Sequence, residues 1–173
     1  DGAGNPPNPN GVKTDYLWKE VLKKDSLTDI IENYAQIIEE ENKKTKKKTK
    51  KQIFPRYHQL DAVRKILADV KQSPIGRRYL IQHSAGSGKS NSITWLAHQL
   101  VGLERDGHPL FDSIIVVTDR RNLDDQITTN IRQFAQVGSI VGHADKSSTL
   151  KTHLENGKSL IISTIQKFPF ILK

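Results

Sequence analysis

The chain has 173 residues, and 27 Lys+Arg against 19 Asp+Glu give it a formal net charge of +8. That length holds one domain with tails rather than two, and the absence of Cys excludes disulfides and thiolate metal sites and points to a reducing, cytoplasmic setting. No apolar run approaches the roughly 20 residues that cross a bilayer, and no signal-peptide pattern opens the chain, so no membrane partner is expected.

Residues 1–13 hold three Pro, three Gly and three Asn with one bulky apolar residue, Val12, and read as an extended linker. Because the chain lacks Met even at position 1, it is expected to be a piece of a longer protein. Apolar structure begins at Tyr16, Leu17 and Trp18. Ser26 followed by Asp29 fits a helix-capping pattern, and Leu27, Ile30, Ile31, Tyr34, Ile37 and Ile38 follow at helical spacing. The spacing predicts a helix over Leu27–Glu41. Next comes KKTKKKTKK, Lys43–Lys51, with seven Lys in nine positions; without it the net charge is only +1. The total charge is therefore no sign of a basic binding face. The run reads as a solvated loop, with a nonspecific contact to DNA phosphates as the functional alternative.

From Pro55 onward the pattern changes. Helices are predicted over Tyr57–Val70, Lys89–Leu103, Asn122–Gln136 and Ser148–Glu155, and strands at Tyr79–Ile81, Ser113–Val117, Ser139–Val141 and Leu160–Ile162. Continuous apolar strands alternating with helices indicate an α/β fold, a parallel sheet covered on both faces.

Between the first of these strands and the following helix lies His83-Ser84-Ala85-Gly86-Ser87-Gly88-Lys89-Ser90. Gly86 and Gly88 can take backbone angles closed to other residues, letting successive amides, Ser87 included, face phosphate oxygens. Lys89 supplies a cation to the β and γ phosphates, Ser90 a hydroxyl to Mg²⁺, and the helix N-terminus its partial positive charge. The pattern departs from G-x-x-x-x-G-K-[S/T] at its first position, where His83 stands. The structural alternative is a Gly-rich turn with a surface lysine. Upstream, Phe54-Pro55-Arg56-Tyr57-His58-Gln59 places an aromatic and an amide ahead of the loop. A Gln amide can pair with N6 and N7 of adenine while Tyr57 stacks on the ring. The same residues can also be a helix start with Tyr57 in the core. This element resembles the adenine-sensing segment of superfamily 2 helicases.

Two strand ends follow. Val117-Thr118-Asp119-Arg120-Arg121 and Ser163-Thr164-Ile165-Gln166-Lys167 each place Thr at the end of an apolar run. Thr118, Arg120, Arg121 and Thr164 suit contacts to a nucleic-acid backbone, the alternative being ordinary strand-to-helix turns. None of the six His shows metal-ligand spacing.

Taken together, NPNGVKTDYLWKEVL, IFPRYHQLDAV, HSAGSGKS, IIVVTDRRNLDDQ and IISTIQKF resemble the motor (restriction, R) subunit of type I restriction enzymes. The resemblance implies a RecA-like P-loop sheet preceded by a helical linker. It also implies ATP and Mg²⁺ as cofactors, and an ATP-dependent translocase that pulls double-stranded DNA toward methyltransferase and specificity subunits before cleavage. Residues 1–53 would then connect a nuclease domain to the motor, and residues 54–173 form the front part of its first RecA-like domain. Another superfamily 2 helicase or remodeller, or a binding module that uses nucleotide only as a switch, are the alternatives. No Asp-Glu dipeptide occurs in the sequence. Since hydrolysis needs a carboxylate at Mg²⁺ and usually one at the attacking water, this segment alone is expected not to turn over ATP.

Overall fold

The computed structural model describes residues 4–6, 8–41, 46–73, 76–119, 121–133 and 140–171, without the side chains of residues 40, 41, 121–124 and 126. Two compact units emerge, Asp1–Arg64 and Lys65–Lys173.

The first unit begins with a π-helical turn, Leu17–Val21, closed by the amide of Leu22 donating to Leu17 O at 2.6 Å. Helix α1, Lys24–Asn33, is followed by strand β1, Gln36–Glu41, and strand β2, Lys48–Ile53. The expected helix to Glu41 therefore stops eight residues earlier, at Asn33, and Lys48–Lys51 of the expected lysine loop lie in a strand. The two strands form an antiparallel hairpin that sets Glu39 opposite Lys50, Glu41 opposite Lys48 and Ile38 opposite Lys51. The physical reason is twofold. Ile37 and Ile38 continue the helical spacing past Tyr34, but as adjacent β-branched residues they favour a pleated chain. A glutamate-rich strand beside a lysine-rich one then gains favourable cross-strand charge pairs. Alternation follows: Ile38 is 7% exposed and Ile37 is 65% exposed.

The expected cap at Ser26 is also corrected. Helix α1 starts two residues before it, with Lys23 at the N-cap and no side-chain cap. Ser26 and Asp29 instead hold Arg64, whose guanidinium donates to Asp29 Oδ2 at 2.9 and 2.6 Å and to Ser26 Oγ and O at 3.0 Å. The same guanidinium lies 5.9 Å from the centre of the Tyr34 ring. Val21, Ile30, Tyr34, Ile38, Leu60 and Val63 are the buried apolar residues here.

Helix α2, Tyr57–Gln72, runs across the boundary into the second unit. There follow α3 (Lys89–Val101), the short hairpin strands β3 (Glu104–Arg105) and β4 (His108–Pro109), β5 (Ile114–Thr118) and α4 (Arg121–Gln133). Then come β6 (Val141–His143), α5 (Ser147–Glu155), β7 (Leu160–Thr164) and a 3-10 helix, Ile165–Phe170. Strands β5, β7 and β6 form a parallel sheet in that order. All five residues of β7 are buried, as befits a central strand, whereas β5 alternates, with Val116 and Thr118 buried but Ile115 and Val117 exposed. Helix α4 packs on α3, β5 and β7, and α5 packs on β7 and the 3-10 helix. Leu150 of α5, Ala144 and Ile161 form one buried cluster, with Leu154, Phe168 and Ile171 against it.

The α/β reading holds. Tyr79–Ile81, however, forms no strand: Leu80 is 92% exposed, and no ladder partner flanks it among the described residues. Apolar, β-prone residues become a strand only where a neighbouring backbone accepts and donates in register. Part of the predicted Asn122–Gln136 helix and of the predicted Ser139–Val141 strand, at residues 134–139, lies outside the described residues, as do Lys43 and Lys44.

Candidate nucleotide site and strand-end crevice

The phosphate loop enters α3 through two left-handed glycines. Gly86 has φ +73° and Gly88, the N-cap of α3, has φ +83°. These are angles that L side chains adopt at a cost, so the glycines are required by the backbone itself. Around Gly86 the space where a Cβ would sit is open to 4 Å. The amide of Ser87 closes a turn onto Ser84 O at 3.3 Å, and Ser87 itself is buried. Gly88 O then accepts from the amides of Asn91 and Ser92, at 3.0 and 3.3 Å, and starts the helix. The amides of the first turn, those of Lys89 and Ser90 among them, have no intrahelical acceptor and carry the positive end of the helix dipole.

Lys89 is exposed and reaches back over the loop, its ammonium donating to Ser84 O at 2.8 Å and His83 O at 3.2 Å. Carbonyl oxygens are weaker partners for an ammonium than charged phosphate oxygens. The loop therefore fits a polyphosphate: glycines at the two strained positions, an adjustable cation across the mouth, and a helix N-terminus behind. Ser90, half-buried in the first turn, carries the hydroxyl suited to a divalent cation arriving with the nucleotide. Behind the loop a cavity of about 110 Å³ is lined by Ile81, His83, Lys89, Ser92, Ile93 and Leu96.

Tyr57 and Gln59 belong to the first unit. Tyr57 is half-buried, its ring edge-to-face with Tyr16 at 5.1 Å, and its hydroxyl donates to Glu20 Oε2 at 3.2 Å. Burial, then the nearby Glu20 carboxylate, push that hydroxyl above the ordinary phenol range. Gln59 is 3% exposed and its Oε1 accepts from the backbone N–H of Arg56 at 2.9 Å, while the amides of Gln59 and Leu60 donate to Arg56 O at 3.0 Å. This is the back-bond of a capping box, a glutamine three residues into the helix satisfying the N-cap amide. A carbonyl oxygen has a second lone pair.

The strand ends converge. Thr118 and Thr164 are register partners at the carboxyl ends of β5 and β7, and both are buried. Beyond them opens a crevice of about 370 Å³, lined by Thr164, Asp119 after β5, Gln166 and Lys167 after β7, and Asp145, Lys146 and Ser147 after β6. Gln166 Nε2 donates to Asp119 O at 3.0 Å, and the Lys167 ammonium donates to Ala144 O, so each ties two strand ends together. Burial alone raises the Asp145 carboxyl, but bonds from Thr149 Oγ1 and from the amides of Asp145 and Lys146 outweigh it and hold the group below the usual carboxylate range. In parallel sheets the crevice outside the strand carboxyl ends is the common ligand position. Arg120 and the side chain of Arg121 lie outside the described residues, though Arg121 opens α4. Sequence reasoning picked Thr118 and Thr164 but passed over Gln166 and Lys167, which stood in the same motif. Asp145, Lys146 and Ser147 offered no signal, because only the fold brings the end of β6 beside that of β7.

A parallel sheet with helices, a glycine-strained phosphate loop heading one of them and a strand-end crevice define a P-loop nucleotide-binding domain of the RecA-like class. More specifically, the SWI2/SNF2 ATPase family matches residues 58–171, well over half of the sequence, and the chain belongs to that family. Comparison with curated proteins and with solved structures returned no significant match. No helix among the described residues is long and apolar enough to cross a membrane.

Proposed function

We propose that this chain is the ATP-binding front part of the first motor domain in the R subunit of a type I restriction enzyme, a double-stranded DNA translocase and endonuclease. Residues 54–173 supply the motor portion and residues 1–53 the connection from a nuclease domain. The observation that carries the nucleotide half of this reading is the loop at Gly86–Ser90, with both glycines at positive φ and Lys89 bridging the loop carbonyls. SWI2/SNF2 membership supports a DNA-acting ATPase. The restriction assignment rests on the sequence resemblance centred on HSAGSGKS and VVTDRRNLDDQ.

In this reading Gly86, Ser87, Gly88 and Lys89 hold the phosphates, Ser90 holds Mg²⁺, and Tyr57 with Gln59 recognises adenine. Bound ATP supplies the free energy for movement. The side chains of Lys89 and Ser90 orient it and balance its charge. Thr118, Arg120, Arg121 and Thr164 contact the DNA backbone, and methyltransferase and specificity subunits are the protein partners. Because no Asp-Glu pair occurs within these residues, the test uses the full-length protein. ATP hydrolysis is expected to rise on adding linear duplex DNA, and Lys89→Ala is expected to abolish both hydrolysis and translocation with little change in melting temperature. Normal translocation by that variant rules the reading out. The family name itself favours one second reading, a remodelling ATPase. Duplex-stimulated hydrolysis with no DNA cleavage when methyltransferase and specificity subunits are present selects it.

A further inference from the structure

The lysine-rich segment is the feature that the nucleotide site does not absorb. The hairpin it builds lies in residues 36–53, before the residues matched to the ATPase family. Among the described residues Lys46, Lys47, Lys48, Lys50 and Lys51 are all exposed. The segment from Gln36 to Ile53 carries seven Lys against three Glu, so pairing every glutamate still leaves an excess of cations. Among the described residues strand β2 pairs only with β1. Edge lysines also guard against edge-to-edge aggregation.

We propose that the exposed lysine strand of the β1–β2 hairpin is a sequence-independent contact to the phosphate backbone of duplex DNA, separate from the ATPase fold. Being a strand rather than a loop is what makes this contact effective. Lys48 and Lys50 share one face of β2, and at about 3.4 Å per residue their stems leave the backbone about 7 Å apart. Successive phosphates on one DNA strand rise about 3.4 Å along the axis but also wind around it, so their separation in space is larger and comparable to that of lysines two residues apart. In the register Glu39 lies opposite Lys50 and Glu41 opposite Lys48, and the seven Lys of the segment still outnumber its three Glu. Ordering is thus completed on folding, and less entropy is lost on binding than a mobile lysine loop would lose. The choice of duplex DNA over another polyanion rests on the proposed motor function.

The test measures binding of a fluorescein-labelled 30-base-pair duplex to the full-length protein over a range of salt concentrations. For Lys48→Gln/Lys50→Gln, the slope of log K against log salt is expected to become shallower by about 2, since each neutralised phosphate contributes about 0.9. The matching double Lys→Arg variant is expected to keep the parental slope. Glu39→Gln is expected to bind more tightly than the parent, a gain that lost hairpin packing does not produce. An unchanged slope in the Gln variant overturns the proposal, as does a loss of binding confined to vesicles of anionic phospholipid. DNA-stimulated hydrolysis with an unchanged slope sinks this contact alone; absence of DNA-stimulated hydrolysis in the unsubstituted protein sinks the motor reading as well.

Discussion

The side chain of Gln59 is committed before any ligand arrives. Its Oε1 caps the first turn of α2 by accepting from Arg56 N, and the residue is 3% exposed. Adenine recognition by the same amide therefore has to share a carbonyl already in use, which its second lone pair permits. The two roles separate cleanly by substitution. Gln59→Ala is expected to cost about 1 kcal/mol of stability through the lost cap and to weaken ATP binding. Gln59→Glu keeps acceptors for the Arg56 amide and for adenine N6 but cannot donate to N7, an acceptor that adenine and guanine share. It is expected to melt like the parent while binding ATP more weakly and still preferring it to GTP, as read by titration calorimetry with both nucleotides. Parental ATP affinity in Gln59→Glu removes the adenine role and leaves only the cap. Ser26 teaches the same lesson from the other side. Its residue type suggested a cap, and its position inside α1 makes it a partner of Arg64 instead.

At the scale of elements, the phosphate loop is local and was legible as such. Two glycines, a lysine and a serine at fixed spacing ahead of a helix dictate backbone angles that only glycine meets without strain, and Gly86 and Gly88 take them. Gly86→Ala isolates that strain, because its Cβ would meet nothing within 4 Å. The expected cost is about 1–2 kcal/mol, expressed as roughly tenfold weaker nucleotide binding. Equilibrium titration with a fluorescent ATP analogue checks it, and unchanged affinity shows that the left-handed turn is not what organises the loop. The hairpin was not legible. Glutamate-rich and lysine-rich stretches each read as helix end or solvated loop when taken singly, and the register that sets one against the other is written in neither. Tyr79–Ile81 fails in the opposite sense: the local pattern is β, but an isolated segment has no ladder to join.

At the scale of the whole molecule, stability depends on pH through groups whose protonation differs between folded and unfolded chains. His98, in α3, is held below the ordinary imidazole value of 6.5 by burial, which disfavours its charged form. The unfolded chain then takes up a proton at higher pH than the folded one does. Stability from this group is full above about pH 6.5 and is lost as pH falls through the lowered folded value. The urea midpoint is expected to drop between about pH 7.5 and pH 5.5, and His98→Gln is expected to flatten that part of the profile. An identical profile in the variant assigns the dependence elsewhere. Of the net charge of +8, the hairpin segment from Gln36 to Ile53 contributes half, through seven Lys against three Glu.

What the sequence determined by itself is the chemistry that depends on neighbours along the chain: the loop, its glycines and lysine, the helices with sustained apolar periodicity, and the strand cores IIVV and LII. Such signals survive because the interactions behind them span four or five residues. Tertiary structure alone decided the rest. Register placed Thr118 beside Thr164, Gln166 and Lys167 bound the ends of three strands into one crevice, and a lysine run became an edge strand because a glutamate strand lay across from it. Each of these contacts joins residues far apart in sequence. No local pattern encodes such a contact, since its free energy appears only when folding has brought both partners together.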